Sequence, residues 1–251
     1  MRDKGRADWK FVARGIRRGF GWLRRTALHP QWFVSGDQHG RLRNLHRLSG
    51  AVLDIGCSDR DLEKHLPRDC TYFGLDHYVT ARSFYDSHPD FFGDVCRLPL
   101  CNDCIDGVMI FEVLEHVPNP KAALFEIARV LRPGGLLLLS VPFLYPIHNA
   151  PYDFHRFTRH ALLHVLQEQG FDVEEIRPRL RSMEVGGLMV SLALGDAGRQ
   201  ILRHHRWAVP AIPVLGLLVC LVNVFTWVLA RLLPGSDFMP GGYEVVAILR
   251  R

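Results

Sequence analysis

Glycine is missing from positions 58 and 61, where the chain has Ser58 and Asp61. A G-x-G-x-x-G turn opening at Gly56 needs glycine at both, so the stretch AVLDIGCSDRDLEKHL (51–66) does not hold a pyrophosphate in the dinucleotide manner. Nucleotide-binding oxidoreductases and epimerases lose their support with it. Cysteine is sparse: six residues, at 57, 70, 96, 101, 104 and 220, with no secretory signal ahead of them. Reduced thiols in a cytoplasmic setting are therefore expected. Cys96, Cys101 and Cys104 have neither a second C-x-x-C nor paired histidines at finger spacing, so unligated thiols are expected there and no metal is assigned. Formal charge is absent from residues 207–230, a run of 24.

What is present reads as globular. With 251 residues, 48% of them hydrophobic and 23% charged, the chain can bury one core of about 200 residues with additions. The net charge of +5 conceals an asymmetry: residues 1–47 carry 12 Lys/Arg against 3 Asp/Glu, and the remainder 19 against 23. The basic character belongs to an N-terminal arm. Within that arm Trp9, Val12, Ile16, Phe20 and Leu23 recur at helical spacing, flanked by Arg14, Arg17, Arg18, Arg24 and Arg25. A basic helix with an aromatic, apolar side suits the headgroup layer of an anionic leaflet.

From residue 51 onward strand-like runs alternate with helical stripes, which is α/β wiring. Strands are expected at 51–55, 71–75, 106–111, 135–141 and 171–177. Ser58 or Asp59 is expected to cap a helix bearing Leu62 and Leu66. A second helix should start at Asn119, with Pro120 in its first turn and Leu124, Ile127, Ala128 and Leu131 as its stripe. Phe157, Thr158 and Leu162 read as staple and cap of a third.

After β-strand 51–55 the chain keeps an acid at the strand end (Asp54), one glycine (Gly56), and a second acid 20 residues past that glycine, Asp76 in YFGLDHY. A carboxylate at that place accepts both hydroxyls of a ribose, so a nucleoside without a pyrophosphate fits the turn.

Taken together, LDIGCSDRDL, YFGLDHY, GDVCRLPLCNDCIDGVMIFEVLEHVPNP and EIARVLRPGGLLLLSVP resemble the ordered motifs of class I S-adenosylmethionine-dependent methyltransferases, of the type 11-like family, over residues 51 to about 178. The family's first motif has three alternating glycines; here Gly56 stands at the first, Ser58 and Arg60 at the others. The resemblance implies a Rossmann-like, seven-stranded, doubly wound α/β sheet with its last strand antiparallel, GGYEVVAILRR supplying that strand. It implies S-adenosyl-L-methionine as cofactor, with Asp54 and Gly56 framing its methionine part, Ser58 among the cofactor-binding residues and Asp76 on its ribose. Asp94 would meet the adenine amino group and Val95 would pack on the ring. The loop HNAPYDFHRFT resembles a subgroup of bacterial surface-glycan and lipid-linked methyltransferases, and it nominates His148 as general base with Asp153 orienting it or the acceptor. Asp153 and Arg156 can equally form a structural pair that pins the loop. Glu112, Glu115 and His116 form E-x-x-E-H, similar to a divalent-metal pattern of ubiquinone-pathway O-methyltransferases. If Val117 runs straight into a helix the three share a face. Metal-free relatives carry the same L-E-H, so no metal is counted among the cofactors.

The expected organisation is a basic helical arm over 1–47 and a methyltransferase domain over 48–251, with a hydrophobic helical insertion at about 179–241 before the last strand. Because the chain must return for that strand, and because Pro210, Pro213, Gly216 and Asn223 interrupt the apolar run, an interfacial or re-entrant helical cap is expected rather than a single crossing. Methyl transfer to an O- or N-nucleophile of a small, lipid-linked or apolar acceptor at a membrane surface is the expected function. The expected location is cytoplasmic, peripheral on the inner face of the cytoplasmic membrane. A non-catalytic, membrane-associated S-adenosylmethionine-binding module is the alternative. Nucleic acid is not an expected partner: the catalytic part is net acidic, and FEVL replaces the Asn/Asp-Pro-Pro-aromatic signature of base methylation.

Overall fold

The apolar run GAVLDI forms strand β1 (Gly50–Ile55), and the parallel wiring read from the sequence continues in β2 (Cys70–Asp76), β4 (Ile105–Phe111) and β5 (Leu131–Pro142). The computed structural model describes residues 21–36, 40, 42–82 and 88–250. Of the arm's apolar stripe, Trp9, Val12, Ile16 and Phe20 lie outside the described residues, as do Arg14, Arg17 and Arg18. The chain divides into two units, Gln38–Arg179 with Met239–Arg251, and Met1–Asp37 with Leu180–Phe238.

The first unit is a seven-stranded sheet ordered β3-β2-β1-β4-β5-β7-β6, where β3 is Phe91–Phe92, β6 is Phe171–Arg179 and β7 is Gly242–Leu249. The pairs β1–β2, β1–β4, β2–β3 and β4–β5 are parallel, and β7 runs antiparallel to both β5 and β6. Period-two alternation sorts the side chains between the faces. Leu53, Ile55, Val108, Ile110, Leu137 and Leu139 join one core cluster, and Val52, Met109, Leu136 and Leu138 the other. Helices α1 (Pro120–Val130) and α2 (Arg159–Glu168) supply Leu124, Ile127, Leu162 and Leu166 to the larger cluster. Asn119 and Thr158 cap them, each accepting a backbone N–H from three residues on, at 3.2 Å. Leu45 and Leu48 are buried with the smaller cluster, so residues just ahead of β1 pack into this unit.

One expected element does not form. Ser58 and Arg60 are both left-handed, with φ of 47° and 57°, which no right-handed helix can continue through. Only a 3₁₀ turn, Glu63–His65, precedes Pro67.

The second unit is built on a pair of helices, α3 (Ser182–His204) and α4 (Ile212–Leu232). Pro210 lies in a 3₁₀ turn, Arg206–Ala211, that takes the start of the apolar run, and Pro213 sits in the first turn of α4, where a missing N–H costs nothing, so the α-helix runs unbroken only from Ile212. The helices meet through small and polar residues. A Cβ on Gly187 would lie 2.1 Å from Thr226 Oγ1, and Ser191 donates to Asn223 Oδ1 at 2.8 Å. Asn223 is fully buried and donates in turn to the carbonyls of Ala27 and His29 at 2.7 and 3.1 Å, so its amide never faces outward.

Candidate active site

Three strands and the turns after them build one side of the site. Asp54, 3% exposed at the end of β1, accepts the Tyr72 hydroxyl at 2.8 Å. Burial and the Asp54 charge push that phenol far above its ordinary range. Gly56 follows with φ 77°, and a Cβ there would lie 2.3 Å from Val113 Cγ2, so both backbone and space demand glycine. The amides of Gly56 and Cys57 donate to Leu75 O at 2.8 and 3.2 Å, and that of Ser58 to Asp76 Oδ2 at 3.3 Å. Asp76, 6% exposed, also accepts the His77 amide at 2.7 Å. Cys57 lies in the same turn, its thiol pushed up to about 12 by burial and the charges of Asp54 and Asp76.

Ser58 and Arg60 keep the left-handed backbone that glycines would adopt. Arg60 is held there by ion pairs to Glu63 at 3.0 Å and Asp90 at 2.7 Å, with its guanidinium 4.8 Å from the Tyr72 ring centroid. Asp90 also accepts the Gly74 amide at 2.7 Å, and the Arg60 and Gly74 bonds hold its carboxyl below the usual range. The structure thus brings Asp54, Gly56, Ser58 and Asp76 together at adjacent strand ends. Asp94 and Val95 follow β3; Asp94 accepts the Cys96 amide at 2.9 Å, and Val95 is buried in the main core.

The other side of the site is made by the loops after β4 and β5. Glu112 follows β4 with φ 56°; its amide donates to Ser140 O at 2.9 Å and its carboxylate accepts from Ser140 Oγ at 2.8 Å and Arg179 Nη1 at 2.6 Å. The Glu112 carboxylate is thus engaged by Ser140 and Arg179, and the three residues of E-x-x-E-H do not share a helical face. Leu114–His116 is a 3₁₀ turn, Val117 is extended, and α1 starts only at Pro120.

Glu115 is fully buried, and among the described residues neither carboxylate oxygen has a hydrogen-bond partner. Burial, and next the Glu112 charge, push its carboxyl well above the usual range. Its Oε1 lies 3.6 Å from His116 Nε2 and 3.8 Å from His148 Nε2. His116 Nδ1 lies 2.5 Å from Tyr152 O, and burial lowers its affinity for a second proton.

Asp153 contacts both His148 and Arg156. It accepts the His148 amide at 2.9 Å with His148 Nδ1 at 3.4 Å, and it pairs with Arg156 at 2.6 and 2.8 Å. The Arg156 bonds hold its carboxyl down at about 2. Arg156 also donates to the carbonyls of Tyr145, Pro146 and His155, and the amides of Phe154 and His155 donate to Glu115 O, so the whole loop is pinned beneath His148. Tyr72, Asp90 and Arg179 also bear on the site, and their partners Asp54, Arg60 and Glu112 lie far away in the sequence, on another strand or in the turns after strands. No linear spacing marks them.

Residues 33–176, more than half of the chain, match the family model described as methyltransferase domain. This chain belongs to that family. Its sheet order and antiparallel last strand make it a class I member, the S-adenosylmethionine-dependent class. A probable S-adenosylmethionine-dependent methyltransferase of Mycolicibacterium smegmatis is 32% identical over 145 residues, covering 53% of this chain and 56% of that protein. An O-methyltransferase of Pyrenophora dematioidea is 28% identical over 179 residues, covering 60% and 66%. The match spans less than two thirds of either relative's length. Among solved structures the cyclase SpnF shares the fold, with a TM-score of 0.53 at 18% identity over 87% of this chain and 82% of that one. S-adenosylmethionine is the cofactor of the class, and the donor set fits it: two buried carboxylates at the ends of neighbouring parallel strands, joined by a turn that closes only with glycine at 56.

Proposed function

We propose that this methyltransferase-family chain moves a methyl group from S-adenosylmethionine to an oxygen or nitrogen of an apolar, lipid-linked acceptor, working as a peripheral protein of the cytoplasmic membrane. When bound, the cofactor supplies an electrophilic methyl on a sulfonium centre. Asp54, Gly56, Ser58 and Asp76 bind it, and Asp94 and Val95 take its adenine. His148, whose Nδ1 lies 3.4 Å from Asp153 Oδ2, takes the acceptor's proton on Nε2. Displacement at a sulfonium needs no proton on the leaving group, so alignment of acceptor and methyl is most of the task.

One observation carries the choice of acceptor. Val214, Leu217, Leu221, Phe225, Val228 and Leu232 recur along one face of α4 and are 38–75% exposed, while that helix turns Val219, Asn223 and Ala230 inward. Large apolar residues outside and small or polar residues inside are the arrangement that lipid favours. Trp207–Leu232 is long and apolar enough to cross a membrane by length and composition alone. Two features argue for lying in the interface instead: α3 carries Asp196, Arg199 and Arg203 toward its end, and the chain must return to β7. It leaves the sheet after Arg179 and returns to pair Gly242 with that residue, at the edge where the parallel strands end.

The test is incubation of the protein with methyl-labelled S-adenosylmethionine and a total membrane lipid extract. Label entering the organic phase is expected. Full turnover of water-soluble acceptors alone, with no label in lipid, sinks the acceptor assignment. Cofactor binding without product on any acceptor favours the non-catalytic module, which the Ser58 and Arg60 replacements keep as the second reading.

A further inference from the structure

Glu115 poses a problem that the methyl-transfer reading does not solve. A fully buried carboxylate with two unpartnered oxygens costs several kcal/mol unless a cation or a donor faces it. The guanidinium that acts on it, Arg156, spends its donors on Asp153 and on the carbonyls of Tyr145, Pro146 and His155. What does face Glu115 is a pair of imidazole nitrogens.

Both rings are held the same way round. His116 Nδ1 is 2.5 Å from Tyr152 O, which fixes the proton on Nδ1 and leaves the Nε2 lone pair open. His148 Nδ1 lies between Asp153 Oδ2 at 3.4 Å and Pro146 O at 3.3 Å, with the same result. An acceptor behind Nδ1 and a bare Nε2 in front is how proteins orient histidine toward a metal. The ring centroids are 4.8 Å apart and near perpendicular, and one ligand atom from each of Glu115, His116 and His148 falls within 4.8 Å of the others. Ligands on one tetrahedral ion at ordinary N and O distances stand roughly 3.3 Å apart. The two Glu115–histidine distances, 3.6 and 3.8 Å, need to close by a few tenths of an ångström, and the two imidazole nitrogens, within 4.8 Å of each other, by up to about 1.5 Å through side-chain rotation.

We propose that Glu115, His116 and His148 bind a divalent late first-row transition metal such as Zn²⁺ or Fe²⁺. Two imidazoles and one carboxylate favour these ions over Mg²⁺ and Ca²⁺, which take oxygen ligands. The donor set is not the linear E-x-x-E-H: Glu112 is committed to Ser140 and Arg179, and His148 arrives from a loop 33 residues beyond Glu115 to replace it. Three protein ligands leave coordination positions open. On the methyl-transfer reading, and resting on it, an open position would take the acceptor oxygen; the cation would make its proton more acidic, that proton would leave to solvent, and His148 would serve as a metal ligand in place of the general base.

The experiment uses full-length, untagged protein, stripped with chelator and titrated with Co²⁺ and Zn²⁺. Occupancy is read by elemental analysis after gel filtration, and geometry by the visible Co²⁺ spectrum. About one ion per chain with a low-symmetry Co²⁺ spectrum is expected. His148→Ala and Glu115→Gln should each weaken binding by at least ~10-fold. The double variant His204→Ala/His205→Ala, which removes an exposed histidine pair, should bind as the native chain does. Should Glu115→Gln fail to fold, His148→Ala carries the test, since that side chain is 27% exposed. Binding that survives His148→Ala, binding lost with His204 and His205, or no binding by folded protein overturns the site. S-adenosylmethionine calorimetry on the same samples separates this failure from failure of the methyl-transfer reading.

Discussion

Asp76 Oδ2 accepts the backbone N–H of Ser58 at 3.3 Å, which ties the end of β2 to the turn after β1. The acid proposed for the ribose and the turn proposed for the methionine part are thus one hydrogen-bonded unit. Asp76→Ala should weaken binding of both S-adenosylmethionine and S-adenosylhomocysteine by about 10- to 100-fold, the scale of lost hydrogen bonds to a charged group. Calorimetric titration checks it, with melting curves confirming the fold. Unchanged affinity in a folded variant would remove Asp76 from the cofactor site.

Arg60 tests what the turn needs. It holds φ 57° at a position where the class has glycine, and its ion pairs to Glu63 and Asp90 keep it there. Arg60→Ala and Arg60→Gly both lose the ion pairs, but only glycine adopts the left-handed backbone without penalty. The glycine variant should therefore be the more stable of the two by about 1 kcal/mol in denaturant unfolding. Equal stability would mean that residue 60 is not left-handed in solution.

The sequence revealed the sheet because parallel strands buried on both faces are continuous apolar runs, as in LLLLSV, and it revealed the caps at Asn119 and Thr158 because a cap is written within four residues. It did not reveal β3, which has two residues, nor the loss of the helix after Ser58. That loss depends on Asp90, thirty residues away, holding Arg60. The site divides in the same manner. Asp54, Gly56 and Asp76 were legible from spacing, whereas the approach of His148 to Glu115 joins two loops that only the folded sheet brings together.

Glu126 supplies a pH dependence remote from the site. Arg129 pairs with it at 2.8 Å and the Leu98 amide donates to it at 2.8 Å, so its carboxyl lies below the usual glutamate range, chiefly through Arg129. A lowered folded-state value stabilises the protein above the unfolded-state value and loses that contribution as pH falls through the folded one. Glu126→Gln should thus cost about 1–2 kcal/mol at pH 7, and the gap to the native chain should close in acid, below the ordinary glutamate range. Urea unfolding at neutral and acid pH reads both arms. A gap that persists or widens in acid would show that the glutamate charge is not what matters.

The outward face of α4 makes the membrane reading testable without knowledge of the acceptor. Leu221 and Phe225 are 56% and 63% exposed, so replacing both by glutamate removes no packing inside the helix pair and leaves the fold intact. The native chain should sediment with vesicles containing phosphatidylglycerol, more weakly as salt rises, because Arg203 in the last turn of α3 and Arg231 in that of α4 flank the stripe and each basic residue near an anionic surface contributes up to ~1 kcal/mol. Leu221→Glu/Phe225→Glu should reduce that binding by at least ~10-fold, since two charges would then have to enter the acyl boundary. Equal sedimentation of native and variant chains would place lipid contact elsewhere. A native chain that is dimeric without lipid, ignores vesicles, and becomes monomeric in the double variant would show that a second copy, not a leaflet, covers this face.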